Sequence, residues 1–308
     1  MSSPKQAAAV ETKFIGGHRA CAGCGFPIAI KEVLSSVKDP VVVVSATGCL
    51  EVTSTIFPFS AWKVPFLHNA FENSAATMSG VEGAYQSLKK QGKIAKNIKF
   101  VAFGGDGGTY DIGLQSLSGA MERGHDMLYV CYNNEAYMNT GVQRSSATPK
   151  GANTTTAPAG KVINGKQQNP KDLTEIMAAH NLQYVAQTTV GMWPDATKKF
   201  EKAFAITGAK FVNIYSPCIP GWGYDTSMTI KMSKLVVDTC MWPVYEVENG
   251  KYKVNYKPAT KLPITEYLKT QTRFKALLKD EATIAEIQAN IDAKWNRLLL
   301  MEEATNKA

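Results

Sequence analysis

"IKFVAFGGDGGTYDIG", residues 98–113, decides the fold. A short apolar run stops at four glycines set around Asp106, and the chain then resumes with helical spacing. A buried strand that ends in glycines and gives way to a helix is the basic unit of an α/β sheet. The same unit recurs on both sides. "PVVVVSATG" (40–48), "DMLYVCYNN" (126–134), "LQYVAQTTV" (182–190) and "AKFVNIYSP" (209–217) are apolar runs without polar alternation, as expected of parallel strands covered on both faces. Between them, 27–37, 73–91, 110–123, 170–181 and 194–207 carry helical spacing, with Pro27, Pro170 and Pro194 placed where a first turn accepts proline. The expectation is an α/β fold, a doubly wound and mostly parallel sheet.

The pattern changes near residue 227. "VYEVENGKYKVNY" (244–256) reads as a hairpin turning at Asn249-Gly250, and 263–303 as a charged helical arm against another subunit. This divides the chain into a 1–227 α/β domain and a 228–308 extension. Residues 135–169, rich in Gly, Thr, Asn and Ser, have no period; so long a connection is usually functional or disordered, and a lid is expected.

Composition narrows the class. With 308 residues, 44% of them hydrophobic, the chain can bury a large core. It has no apolar run long enough to span a membrane and no secretory leader. A soluble cytoplasmic protein with reduced cysteines is expected. The formal charge of +8 is dispersed, and no nucleic-acid motif accompanies it.

Glycines at a strand end let the backbone approach a diphosphate, and the helix that follows favours negative charge there. Asp106 adds a hard oxygen ligand for Mg²⁺. The next strand ends in "YNNEAYMNTG" (132–141), so Asn134 follows Asp106 by 28 residues. Adjacent parallel strands end on one edge, where the two side chains can meet across a crevice. A carboxylate, an amide oxygen and a backbone carbonyl make half of an octahedron. GDG followed by NN at this spacing looks like the thiamine diphosphate (TPP) motif.

Six cysteines remain: 21, 24, 49, 131, 218 and 240. Cys131 lies inside a strand and Cys240 in a helical pattern, so both read as buried structural thiols. Cys21 and Cys24, in "GHRACAGCGFP" (17–27), precede a helix; Cys49 in "SATGCLE" and Cys218 in "IYSPCIPG" follow strand ends. Zinc lacks a second close pair, with only His18 nearby. A redox dithiol would leave Cys49 and Cys218 unexplained. A cluster uses all four thiols that share the edge, but spacing alone does not choose it. TPP nearby favours it, because a one-electron acceptor beside TPP turns a decarboxylation into an oxidation.

Together, "HRACAGCG", "SATGCLE", "HNAFENSAATMSGVE", "GGDGGTYDIG", "YNNEAYMNTG" and "SPC" resemble the TPP-binding β subunit of the 2-oxoacid:ferredoxin oxidoreductases, most closely the pyruvate synthase type, over about residues 15–225. The resemblance implies a [4Fe–4S] cluster on Cys21, Cys24, Cys49 and Cys218, and Mg²⁺ on Asp106, Asn134 and the carbonyl of Ala136. It implies that Gly105, Gly107 and Gly108 line the diphosphate. Asn139 would face the thiazolium and substrate, with Cys49 and Tyr137 beside the cofactor. The activity implied is CoA-dependent oxidation of a 2-oxo acid, pyruvate in the first instance, with ferredoxin as acceptor. Branched-chain 2-oxo acids, oxalate or a non-oxidative TPP lyase are the alternatives. Where the family often has an acidic residue after CxxCG, this chain has Phe26. The glutamate that activates TPP comes from another chain in this family, so Glu51 and Glu72 are not given that role. Partner subunits of the α, γ and δ kind, ferredoxin and CoA are therefore expected.

Overall fold

The computed structural model describes residues 9–307. Eight strands form one sheet: β1 (Val41–Ala46), β2 (Phe66–Asn69), β3 (Lys99–Gly105), β4 (Leu128–Asn133), β5 (Tyr184–Thr189), β6 (Lys210–Tyr215), β7 (Tyr245–Glu248) and β8 (Lys251–Val254). Their spatial order is β2-β1-β3-β4-β6-β5-β7-β8. The first six run parallel; β7 is antiparallel to β5, and β8 to β7. The α/β sheet is therefore as expected.

The helices are α1 (Gly25–Ser35), α2 (Cys49–Ser54), α3 (Ser74–Lys90), α4 (Leu114–Glu122), α5 (Leu173–Ala178), α6 (Trp193–Ala205), α7 (Ile219–Trp222), α8 (Thr229–Asp238), α9 (Thr265–Leu268) and α10 (Glu281–Asn306). Both faces of the sheet are covered. Val43, Val101, Phe103, Val130 and Val212 pack under α1 and α6; Ala102, Tyr129, Cys131 and Phe211 pack under α4 and α5. Burial on two sides is why β4, β5 and β6 lack polar alternation.

The sheet order has a switch point at β1. From it the chain moves one way to β2 and the other way to β3, so a crevice opens beyond the carboxyl ends of β1 and β3.

Several boundaries differ from expectation. The helix after β3 begins with a six-residue π-helical stretch, Gly107–Ile112, before α4. Pro170 lies ahead of α5, which starts at Leu173 and is capped by Asp172. Cys240 is not helical: it follows α8 with φ +58, in the turn that closes the helix, though its thiol is buried as expected. β2 and α2 had no clear sequence signal, being short and half exposed. The hairpin turns at Asn249 (φ +49) and Gly250 (φ +78), as the Asn-Gly pair requires.

Residues 228–307 extend the same sheet, and the expected 263–303 helical arm is one continuous helix only from Glu281 onward, after the short α9 and two 3₁₀ turns. α10 lies against its own hairpin, where Glu302 Oε1 accepts from the Val254 N–H at 2.7 Å and Thr305 Oγ1 from the Tyr252 N–H at 3.0 Å. No helix among the described residues is long and apolar enough to cross a membrane.

Candidate functional site

Asp106 follows β3 and is fully buried. Its Oδ1 accepts the Asn134 N–H at 3.1 Å, and its Oδ2 accepts the Ser145 hydroxyl. Burial raises its carboxyl to about 7, and the bonds from Ser145 and Asn134 offset part of that rise. The glycines beside it are needed for close approach. A Cβ on Gly107 would lie 2.3 Å from the Tyr137 ring, and one on Gly108 would lie 2.7 Å from the Phe71 carbonyl oxygen.

Asn134 completes a corner. Turned one way, its amide NH₂ donates to Asp106 Oδ1 at 2.9 Å and to the Ala136 carbonyl at 2.8 Å. Turned the other way, three oxygens from Asp106, Asn134 and Ala136 converge with no proton between them. That is an oxygen set of the kind a hard cation satisfies, and the residues present fit Mg²⁺. Between Asn134 and Ala136, Glu135 takes φ +66, a conformation that turns the chain sharply.

The crevice runs past this corner. Gly48, Cys49, Phe71, Gly105, Gly107, Gly108, Tyr137 and Asn139 line it. At its floor the Tyr132 hydroxyl is buried without a hydrogen-bond partner. An orphaned polar atom in a glycine-lined cradle suits a polar ligand such as TPP. The structure thus brings Cys49, Gly105, Asp106, Gly107, Gly108, Asn134, Ala136, Tyr137 and Asn139 to one crevice.

The four edge cysteines gather beside it without a disulfide. Cys24 caps α1, Cys49 opens α2 and Cys218 caps α7, while the Cys21 carbonyl accepts the Cys24 N–H at 3.0 Å. Burial pushes the Cys24 and Cys49 thiols up to about 12 and Cys218 to about 11. Repulsion among the cysteines adds to this, which places all four within electrostatic reach of one another. Among the described residues no three His, Cys, Asp or Glu side chains close on a single ion. All four thiols are free, and thiolates are the ligands an iron–sulfur cluster takes.

Phe26 is 2% exposed and packs in the core, with its ring 6.1 Å from that of Tyr132. Phe26 is not among the residues that line the crevice, and its side chain serves packing. Neither Glu51 nor Glu72 lines the crevice; Glu51 accepts from Thr55 Oγ1 at 3.2 Å and lies 3.6 Å from His68.

Residues 135–169 fold without regular structure, yet they are pinned. Ser145 bonds Asp106, Ser146 bonds Asp111, and the Thr148 hydroxyl donates to the Glu135 carbonyl at 2.6 Å. Sequence reading missed Ser145, Trp222 and Arg273, which support the corner from distant segments; nothing local to them signals that role. A separate cavity of about 250 Å³ lies between α10, α5 and the Cys240–Pro243 turn. Its Gln187 and Glu175 are already bonded to Thr174, Pro243, Tyr245 and Tyr252.

Residues 46–214 match the family model of the thiamine pyrophosphate enzymes' C-terminal TPP binding domain. The chain is 52% identical to pyruvate synthase subunit PorB of Thermotoga maritima, over 94% of this chain and 92% of that one. It is 41% identical to ketoisovalerate oxidoreductase subunit VorB of Pyrococcus abyssi, over 95% and 94%. A 2-oxoglutarate:ferredoxin oxidoreductase from Magnetococcus marinus shares the fold, with a TM-score of 0.58 at 22% identity, covering 70% of this chain and 69% of that one.

Proposed function

This chain belongs to the TPP-binding β-subunit family of the 2-oxoacid:ferredoxin oxidoreductases, and from that premise we propose that it is the β subunit of a pyruvate synthase. The reaction is pyruvate + CoA + 2 oxidised ferredoxin giving acetyl-CoA + CO₂ + 2 reduced ferredoxin + H⁺. The observation that carries the reading is the convergence of Asp106, Asn134 and Ala136 oxygens beside a glycine-lined crevice.

When bound, TPP supplies the carbanion chemistry that cleaves a 2-oxo acid, and the cluster accepts single electrons. This chain's residues do the holding. Asp106, Asn134 and the Ala136 carbonyl would hold Mg²⁺, and Gly105, Gly107 and Gly108 admit the diphosphate. Tyr137 donates to the Gly107 carbonyl at 2.7 Å and packs edge-on against Phe71, which fixes that part of the crevice wall. Asn139 lines the same crevice and would face the thiazolium and substrate. Cys21, Cys24, Cys49 and Cys218 would hold the cluster, with Cys49 nearest the cofactor because it lines the same crevice.

Among the described residues no Asp or Glu lines the crevice beyond Asp106 at its corner, which favours a partner subunit as the source of the general base for TPP and a site completed at an interface. The test is anaerobic reconstitution with the partner subunits, assayed by viologen reduction against a panel of 2-oxo acids. CoA-dependent turnover fastest with pyruvate supports the reading. Preference for 2-oxoisovalerate, the substrate class suggested by the name of the VorB relative, would reassign the substrate; CO₂ release without viologen reduction would indicate a non-oxidative lyase. Turnover by this chain alone would refute the shared site.

A further inference from the structure

The corner that fits Mg²⁺ is held from behind by a residue far away in sequence. Glu135 is 3% exposed, has φ +66 and sits between the two ligand-bearing residues Asn134 and Ala136. A glutamate gains nothing from this backbone conformation, since its Cβ crowds the adjacent carbonyl. Its carboxylate meets Arg273 Nη2 at 2.5 Å, and both side chains are 3% exposed. The guanidinium also donates to Tyr267 Oη at 3.0 Å and through Nε to Gln271 Oε1 at 2.8 Å. It lies 4.1 Å over the Trp222 ring. Trp222 in turn donates its indole N–H to the Asn134 carbonyl at 2.9 Å. Arg273 thus bears on Glu135 directly and on Asn134 through one intervening ring.

Both contacts act on the same two peptide units. The turn at Glu135 is what lets the Asn134 side chain and the Ala136 carbonyl face Asp106 together. A buried pair with one partner removed leaves an uncompensated charge, so neither residue can relax alone. Arg273 lies outside the 46–214 segment that matches the TPP-binding domain, in the C-terminal extension.

We infer that Arg273 is a positioning residue for the metal–diphosphate site, and that its ion pair with Glu135 holds the left-handed turn that aims Asn134 and Ala136 at the cation. The inference rests on the Mg²⁺ reading given above. It assigns the C-terminal extension a part in the site besides any subunit contact.

The test compares two double variants in the assembled complex, each lacking the pair and neither leaving a buried orphan charge. Arg273→Met with Glu135→Gln keeps the crowded turn without its clamp. Arg273→Met with Glu135→Gly also lacks the clamp, but glycine adopts φ > 0 without cost. Mn²⁺ is the probe, titrated with TPP present and read by electron paramagnetic resonance. The glutamine double is expected to bind Mn²⁺ about tenfold or more weakly than wild type, matching the strain typical of such positions, and the glycine double within about threefold of wild type. Equal affinities in the two doubles overturn the inference, whether both are weak or both are normal. If either double fails to assemble, Arg273→Lys decides, because it keeps the charge and loses the planar fork. A several-fold loss is then expected, and wild-type affinity overturns the inference. Asp106→Ala is the control for the underlying reading: if it binds Mn²⁺ normally, the metal assignment fails and the inference falls with it.

Discussion

Two corners share the carboxyl edge of the sheet, and they are finished to different degrees. At the oxygen corner every polar group of Asp106 is engaged, by Asn134, Ser145 and the peptide N–H groups around it. At the sulfur corner the thiols of Cys24, Cys49 and Cys218 are held neutral by burial, and Cys21 is exposed. The difference follows from chemistry. A carboxylate and an amide can be oriented by hydrogen bonds before any ligand arrives. Thiols are weak donors and acceptors, so the chain can bring them near one another but leaves their final geometry to whatever binds them. The oxygen corner should therefore bind its ligand in a preset frame, and the sulfur corner should be ordered by its ligand.

The largest effect should come from removing the buried Asp106 carboxylate, which faces Asn134 in the preset corner. Asp106→Ala is expected to abolish Mg²⁺-dependent TPP binding, a loss of about 3 kcal/mol or more, while the fold survives. Calorimetric titration of TPP with and without Mg²⁺ checks this. Binding within a few-fold of wild type would mean that the corner is not the cation site.

Next comes the sulfur corner. Serine at Cys21, Cys24, Cys49 or Cys218 should each lower bound iron and the broad absorption near roughly 400 nm, since an alcohol replaces a thiolate ligand. Serine at Cys131 or Cys240 should leave iron unchanged, because both thiols are packed inside the chain away from the edge. Any single edge variant with full iron content removes that residue from the ligand set. Burial keeps the Cys24, Cys49 and Cys218 thiols protonated at neutral pH, so uptake of the cluster should release protons, measurable as a buffer-dependent heat.

Much of this was legible in the sequence for a plain reason. The five apolar runs had no alternative to burial, and each became a parallel strand. Glycines at 104, 105, 107 and 108 around Asp106 are ambiguous alone, and it is the Asn133-Asn134 pair at the end of the next strand that makes them specific. What stayed hidden depends on tertiary contact. β2 is four residues long and half exposed, so its pattern is too short to speak. Ser145, Trp222 and Arg273 act over separations of 39, 88 and 138 residues, and no local pattern encodes such pairings. Cys240 looked helical because the pattern before it is, but α8 ends at Asp238 and the positive φ of Cys240 turns the chain away.

The segment 135–169 offers a finer test of the preset corner. Its bonds from Ser145 and Thr148 to the ligand-bearing turn mean that its near end is already fixed. Around 160–164 the side chains of Val162 and Ile163 are largely exposed, and little holds them. Hydrogen exchange with TPP and Mg²⁺ should therefore add protection mainly at 137–143, which borders the crevice, and little at 145–148. An increase spread evenly over 140–169 would show instead a lid that orders as one body on the cofactor.

The smallest expected effect concerns what anchors the far end of that segment. Lys166 is 2% exposed, and its ammonium donates to the Thr148 carbonyl at 2.6 Å and to the Ser146 carbonyl at 3.4 Å. Burial lowers its pKa from the ordinary 10.5 to about 8, and Arg144 adds to the lowering. Between about 8 and 10.5 the unfolded chain holds a proton here that the folded chain has released. Stability gains slope in the direction of rising pH wherever the unfolded state binds more protons, so this group stabilises the fold progressively across that window. Below 8 both states carry the charge, and the folded state bears its full desolvation cost. Lys166→Met removes that cost together with two bonds to carbonyls, so the net change at pH 7 should stay within about 1 kcal/mol. The sharper readout is the slope. Denaturant midpoints measured from pH 7.5 to 10 should rise less steeply, or fall more steeply, in Lys166→Met than in wild type. The other buried lysines contribute equally to both proteins and cancel in the difference. Parallel pH profiles would show that Lys166 keeps its ordinary basicity, and that solvent reaches the segment that braces Asp106.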